Sequence, residues 1–130
     1  MLSLARLVLG EASRRPDIAS IYHTAGPSKA FKGLIAFMQE CVDANQLQIE
    51  DLEYAAQDLW SLILSGPRDF HLHFVNEQPD RAELLRSIGH GLHIFLKVYS
   101  INRAVDLKAL AVKIDSMERT LNDNLRIAEQ

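Results

Sequence analysis

Five histidines are the residues best placed to do chemistry, and two pairs have ligand-like spacing: His71-x-His73 and His90-x-x-His93. Positions i and i+3 of a helix share a face and can share a metal ion. A ferritin-like centre, however, also needs glutamates on neighbouring inward faces and a Glu-x-x-His step. No acidic residue precedes His90 or His93 at that spacing, and the first pair has only Asp69 nearby. Both pairs therefore read as polar positions at a pocket or interface edge, and no metal is expected. Cys41 is the only cysteine. It cannot form an internal disulfide, and its place on an apolar helical face makes it a small buried hydrophobe. There is no Gly-x-Ser-x-Gly elbow, no phosphate loop and no recognisable histidine partner for Cys41. Neither enzymatic activity nor a cofactor is expected.

The positions that hold these side chains must come from a single helical domain. A length of 130 residues supports a core without metal or disulfide help. With 48% hydrophobic and 24% charged residues, the composition is that of an ordinary globular protein, and no apolar run approaches the roughly 18 residues of a membrane span. The net charge of −3, from 14 Lys plus Arg and 17 Asp plus Glu, argues against binding nucleic acid by phosphate neutralisation. The start, Met1-Leu2-Ser3-Leu4-Ala5-Arg6, lacks the pattern of a secretory signal, so the cytoplasm is the expected location. It also opens in a helical pattern without a cap, as if a helix were entered part-way along.

Periodicity predicts an all-α bundle of five to six helices. Leu2–Ser13 has Leu4, Leu7 and Val8 on one side, and Pro16 starts a short helix over Asp17–His23. Gly26 permits the next turn. Ser28–Ala44 is strongly amphipathic, with Phe31, Leu34, Ile35, Met38, Cys41 and Val42 at steps of three and four, and Asn45 suits its left-handed end. Asp51 is a fair N-cap for a fourth helix, which continues through Gly66-Pro67, with a kink, to about His73. A loop over Asn76–Asp80 introduces the fifth helix, and a bend near Ser100-Ile101-Asn102 can begin a sixth. The tail spaces Leu107, Leu110, Ile114, Met117 and Leu121 in a short heptad rhythm, open either to folding back on the domain or to an independent zipper.

The stretch Leu52–Tyr99 is the most apolar. Leu52, Ala55, Ala56, Leu59 and Ile63 make one stripe, and Trp60, Leu62 and Leu64 widen it; Leu84, Leu85, Ile88, Leu92, Phe95, Leu96 and Tyr99 make another, beside which Ile94, Val98 and Ile101 begin a second face. Two such helices, doubled by a two-fold axis, would form an intermolecular four-helix bundle. The expected interface residues are Trp60, Ile63, Leu64, Leu85, Ile88, Leu92, Phe95 and Leu96.

Several segments resemble the C-terminal effector-binding and dimerisation domain of TetR-family transcriptional regulators. They are Arg6-Leu7-Val8-Leu9-Gly10-Glu11-Ala12-Ser13-Arg14-Arg15-Pro16 with the Ile-Tyr helix and Ala25-Gly26-Pro27 after it, then Ile49-Glu50-Asp51-Leu52-Glu53-Tyr54-Ala55-Ala56 and Ile94-Phe95-Leu96-Lys97-Val98-Tyr99. The resemblance implies a TetR-like domain over residues 1–99 and leaves residues 100–130 as a helical extension. It also implies a homodimer that senses a mostly apolar small molecule, in a chain that lacks the family's helix-turn-helix domain and so does not itself bind operator DNA. On the same resemblance, the effector chamber lies between the first, third and fourth helices, lined by Val8, Phe31, Leu34, Met38, Tyr54, Asp58 and Leu62. Tyr54 and Asp58, one turn apart, could present a hydroxyl and a carboxylate together. The competing reading is a helical homo-oligomerisation module with no ligand.

Overall fold

The computed structural model describes residues 2–74, 76–78 and 80–128, which form six helices. They are α1 (Leu2–Glu11), α2 (Pro16–Ala25), α3 (Pro27–Asp43), α4 (Leu52–His73), α5 (Arg81–Tyr99) and α6 (Arg103–Ala128). Local chemistry sets most of the boundaries. Pro16 and Pro27 occupy the first turns of α2 and α3, where a missing N–H costs nothing. The Asp51 carboxylate accepts the Tyr54 N–H at 3.0 Å, and that of Asp80 accepts the Ala82 N–H at 2.9 Å, capping α4 and α5. Asn45 adopts φ 58°, the left-handed conformation expected of it, while the Gln46 N–H reaches back to the Cys41 carbonyl at 2.9 Å. Gly26, in contrast, turns with a negative φ of −123°, so that corner does not draw on glycine's left-handed freedom.

Helix α4 passes unbroken through Pro67, which cannot donate to the carbonyl of Ile63 one turn back. Ser87 of α5 supplies the replacement: its hydroxyl donates to that carbonyl at 2.9 Å. Ser87→Ala leaves the oxygen half-buried without this donor and is expected to lower the unfolding free energy by about 1–2 kcal/mol, measured by urea titration. Gly91 lies one turn further along α5, against Ile63, and is itself buried. This close crossing makes α4 and α5 an antiparallel pair.

The main core gathers Met38, Leu47, Ala55, Ala56, Leu59 and Phe95, with Phe31, Leu34, Ile35, Cys41, Val42, Ile49, Leu52, Ile63, Leu92, Leu96 and Tyr99 packed against it. Ala55 and Ala56 are wholly buried; their small side chains let α3 pack close against α4. Helix α6 folds back along α5, with Gly89 facing the Ile114 side chain. An isolated antiparallel bridge between Leu47 and Ser100 ties the α3–α4 loop to the α5–α6 corner, through the Gln48 N–H to the Tyr99 carbonyl at 2.8 Å and the Ile101 N–H to the Gln46 carbonyl at 3.2 Å. Buried Ser100 also donates its hydroxyl to Asp106 at 2.5 Å, which joins the corner to the first turn of α6.

Candidate functional site

Helix α4 divides its neighbours between two flanks. On one, Asp58, Ser61, Leu62 and Ser65 face Ile94, Phe95, Val98 and Tyr99 of α5 across an open groove of about 500 Å³. On the other, Trp60, Leu64, Pro67 and His71 recur at steps of four, three and four, and α1 packs where that stripe ends. Arg6 of α1 fixes the junction by donating to the His71 carbonyl, from Nε at 3.2 Å and through a second contact from Nη2. A guanidinium on the last carbonyls of a helix also complements the negative end of its dipole.

The seven residues expected around a chamber fall into separate places. Phe31, Leu34 and Met38 belong to the main core, where Met38 is 1% exposed. Val8 is buried on α1 outside that cluster. Asp58 and Leu62 line the α4–α5 groove. Tyr54 points to solvent, 67% exposed, so it and Asp58 do not converge on an enclosed space.

The eight expected interface residues divide as well. Leu85 and Phe95 are buried within the subunit, while Ile63, Leu92 and Leu96 pack against its core. Trp60 and Leu64 are half-buried on the α1 side of α4, and Ile88 is exposed on α5. Around the α4–α5 groove Val98 is exposed, and Leu62 and Ile94 are half-buried along its walls. Ile94 and Val98 were legible in the sequence as the start of a second apolar face on α5.

In the groove the Tyr99 hydroxyl donates to the Asp58 carboxylate at 3.4 Å, a pairing across 41 residues that periodicity could not show. Burial, and then the negative charge of Asp58, raise the Tyr99 phenol above its ordinary range, with Asp51 adding to the effect. The folded state therefore favours the neutral phenol. The stability this contributes is fully present below the ordinary tyrosine pKa and is lost as pH rises through the raised value. In an alkaline titration followed by phenolate absorbance, one of the three tyrosines is expected to ionise late; Asp58→Asn should move it part of the way back, since burial remains.

The histidine pairs also separate. His90 and His93 line a cleft of about 340 Å³ between α5 and α6, with Arg86, Asp115 and Glu118 at its edge and Leu107, Leu110 and Ile114 among its apolar walls. His71 is buried, whereas His73 is exposed with its Nδ1 2.7 Å from the Asp69 carbonyl. Among the described residues no three His, Cys, Asp or Glu side chains group so as to hold a metal ion. No described helix is long and apolar enough to cross a membrane.

An antiparallel α4–α5 pair, shorter helices packed on one side of it and an all-helical core define the class: the C-terminal domain of a TetR-family transcriptional regulator. More narrowly, the chain belongs to the family of AefR-like transcriptional repressor C-terminal domains, which matches residues 1–101. That family is one of transcriptional regulators, not of enzymes. The fold is shared with a TetR-family transcriptional regulator from Mesorhizobium loti MAFF303099, at 24% identity and a TM-score of 0.72, over 77% of this chain and 50% of that one. It is shared also with the flavonoid-responsive regulator FrrA, at 24% identity and a TM-score of 0.63, over 75% of this chain and 50% of that one. The chain thus spans about half the length of these solved structures. No curated protein matches it in sequence.

Proposed function

We propose that this chain is the effector-binding and dimerisation unit of a TetR-like regulator. The observation that carries the reading is the α4–α5 pair, where Val98 and Ile88 stand exposed and Leu62 and Ile94 only half-buried, although the subunit's own core is already packed. Two copies meeting on this pair across a two-fold axis would form a four-helix bundle and cover those side chains. Residues 1–99 form the regulatory domain and residues 100–130 a helical extension, whose α6 packs against α5. The effector is a mostly apolar small molecule received between α1, α3 and α4 beside Val8, Phe31, Leu34 and Met38, whose packed side chains must part to admit it; of the other residues assigned to it, Tyr54 stands at the solvent edge and Asp58 and Leu62 on the α5 flank. The response of FrrA to flavonoids supports an effector of this general kind. DNA is reached only through a helix-turn-helix domain outside this chain, and the complete regulator works in the cytoplasm. Effector binding shifts the population between two arrangements of the subunits, by no more than its differential affinity for them.

Sedimentation velocity at micromolar concentration tests the reading. The chain of 14.7 kDa is expected to sediment as a dimer, and Ile94→Asp with Val98→Asp should return it to a monomer of unchanged helicity. A wild-type monomer would overturn the dimer, and a chain carrying no saturable site for any apolar small molecule would overturn the sensor and leave the plain helical module.

A further inference from the structure

His90 and His93, a pair whose spacing marks them for chemistry, belong neither to the main core nor to the α4–α5 groove. They stand on α5 at the cleft of about 340 Å³ that α6 walls on the other side. The two helices meet where a Cβ added to Gly89 would lie 3.3 Å from the Ile114 side chain, and the cleft opens at that crossing. Leu107, Leu110, Ala111 and Ile114 give it an apolar wall, and Arg86 joins the two imidazoles on the α5 side. Arg86 makes no ion pair among the described residues, whereas Asp115 at the rim is already held by Arg119. A hollow of this size, apolar with a few polar groups converging on it, falls in the range of small-molecule sites, about 300–1,000 Å³.

We propose that this cleft is a second ligand site, separate from the effector chamber, and that it takes a small apolar molecule bearing a carboxylate. Arg86 receives the carboxylate, because a guanidinium fork matches its two oxygens, and an imidazole N–H of His90 or His93 donates a further bond even in the neutral form. The apolar body lies against Leu107, Leu110 and Ile114. With Asp115 answered by Arg119, Glu118 is the single opposing charge in the cleft, and a cationic guest would instead face Arg86. Glu83, one turn before Arg86, lines the neighbouring hollow with it but forms no ion pair. The α6 wall begins at Arg103, beyond the residues 1–101 that the family matches, so the site gives the helical extension a role of its own. It shares no residue with the α4–α5 groove or the main core, and it therefore does not depend on the dimer or on the chamber.

Calorimetric titration with 2-naphthoate and 2-naphthol, two-ring compounds that differ in carrying a carboxylate or a hydroxyl, tests the site. 2-Naphthoate is expected to bind the wild-type chain saturably and about tenfold more tightly than 2-naphthol, and Arg86→Gln should remove about that tenfold preference. Ala111→Trp should fill the cleft and abolish 2-naphthoate binding; both positions are exposed, so neither change disturbs a packed core. The imidazole ¹⁵N spectrum of the wild-type chain needs no variant: the His90 and His93 resonances should move with 2-naphthoate while those of buried His71 stay in place. No saturable binding to the wild-type chain, an unchanged preference in Arg86→Gln, unchanged binding in Ala111→Trp, or His90 and His93 resonances indifferent to bound 2-naphthoate overturns the site. If 2-naphthoate does not bind and Ala111→Trp alters sedimentation, the cleft is a contact between subunits and the ligand site falls. The dimer and the effector chamber are judged by their own experiments and survive each of these results.

Discussion

Phe95→Ala is expected to remove about 3–5 kcal/mol from the unfolding free energy of the single subunit. The side chain is 4% exposed and belongs to the cluster with Met38, Leu47, Ala55, Ala56 and Leu59, and its ring lies 4.7 Å from that of Tyr99. Truncation takes away both the transferred apolar area and the contacts across a cavity that α3 and α4 can only partly close. Domains of this size are stable by about 5–15 kcal/mol, so the loss approaches the whole of a marginal fold. Thermal denaturation should show a midpoint lower by about 10 °C or more, and the loss should persist at concentrations too low for dimerisation. That last condition separates a core residue from an interface residue: a side chain needed only between subunits would show its effect in the association constant.

Gly91→Leu is expected to cost at least about 3 kcal/mol, for the opposite reason. A Cβ at this position would lie 2.8 Å from Ile63 Cγ1, 3.2 Å from the Leu62 carbonyl carbon and 3.3 Å from the Ile63 nitrogen. Two of those atoms are backbone, so the strain cannot be relieved by turning a side chain. The helices must separate, and the Ser87 bond to the Ile63 carbonyl is stretched with them. Gly91→Ala should already be destabilising. Gly33→Ala, where an added Cβ meets nothing within 4 Å, should instead raise stability by about 0.5–1 kcal/mol, because alanine loses less entropy in a helix. Urea titrations of the three variants check the order.

The helix boundaries were legible because their causes lie within a few residues of each other. Pro16, Pro27, Asn45, Asp51 and Asp80 each act on their own or adjacent turns, and the chain needs no partner to express those preferences. Even the passage of α4 through Pro67 could be anticipated from the apolar residues beyond it, although its rescue by Ser87, 24 positions from Ile63, could not. The fold-back of α6 was one of two possibilities that its heptad rhythm left open. Packing along α5 decided between them, giving Leu107, Leu110 and Ile114 a neighbour inside the same subunit.

The candidate site was much less legible. Helical period tells which side chains share a face, but it does not say what covers that face. Trp60 and Leu62 both widen the apolar stripe of α4 in the sequence, yet in the structure Leu62 opens into the α5 groove and Trp60 shares the opposite flank with His71. The buried Nδ1 of His71 follows from the docking of α1 through Arg6, a contact across 65 residues, and no local pattern distinguishes it from exposed His73 two positions later. What the amino-acid order determined alone was therefore the set of helices and their apolar stripes, since both follow from short-range preferences and a fixed period. Tertiary structure decided which stripe became core, which stayed open as a groove and which histidine was enclosed, because those outcomes depend on how distant helices cross.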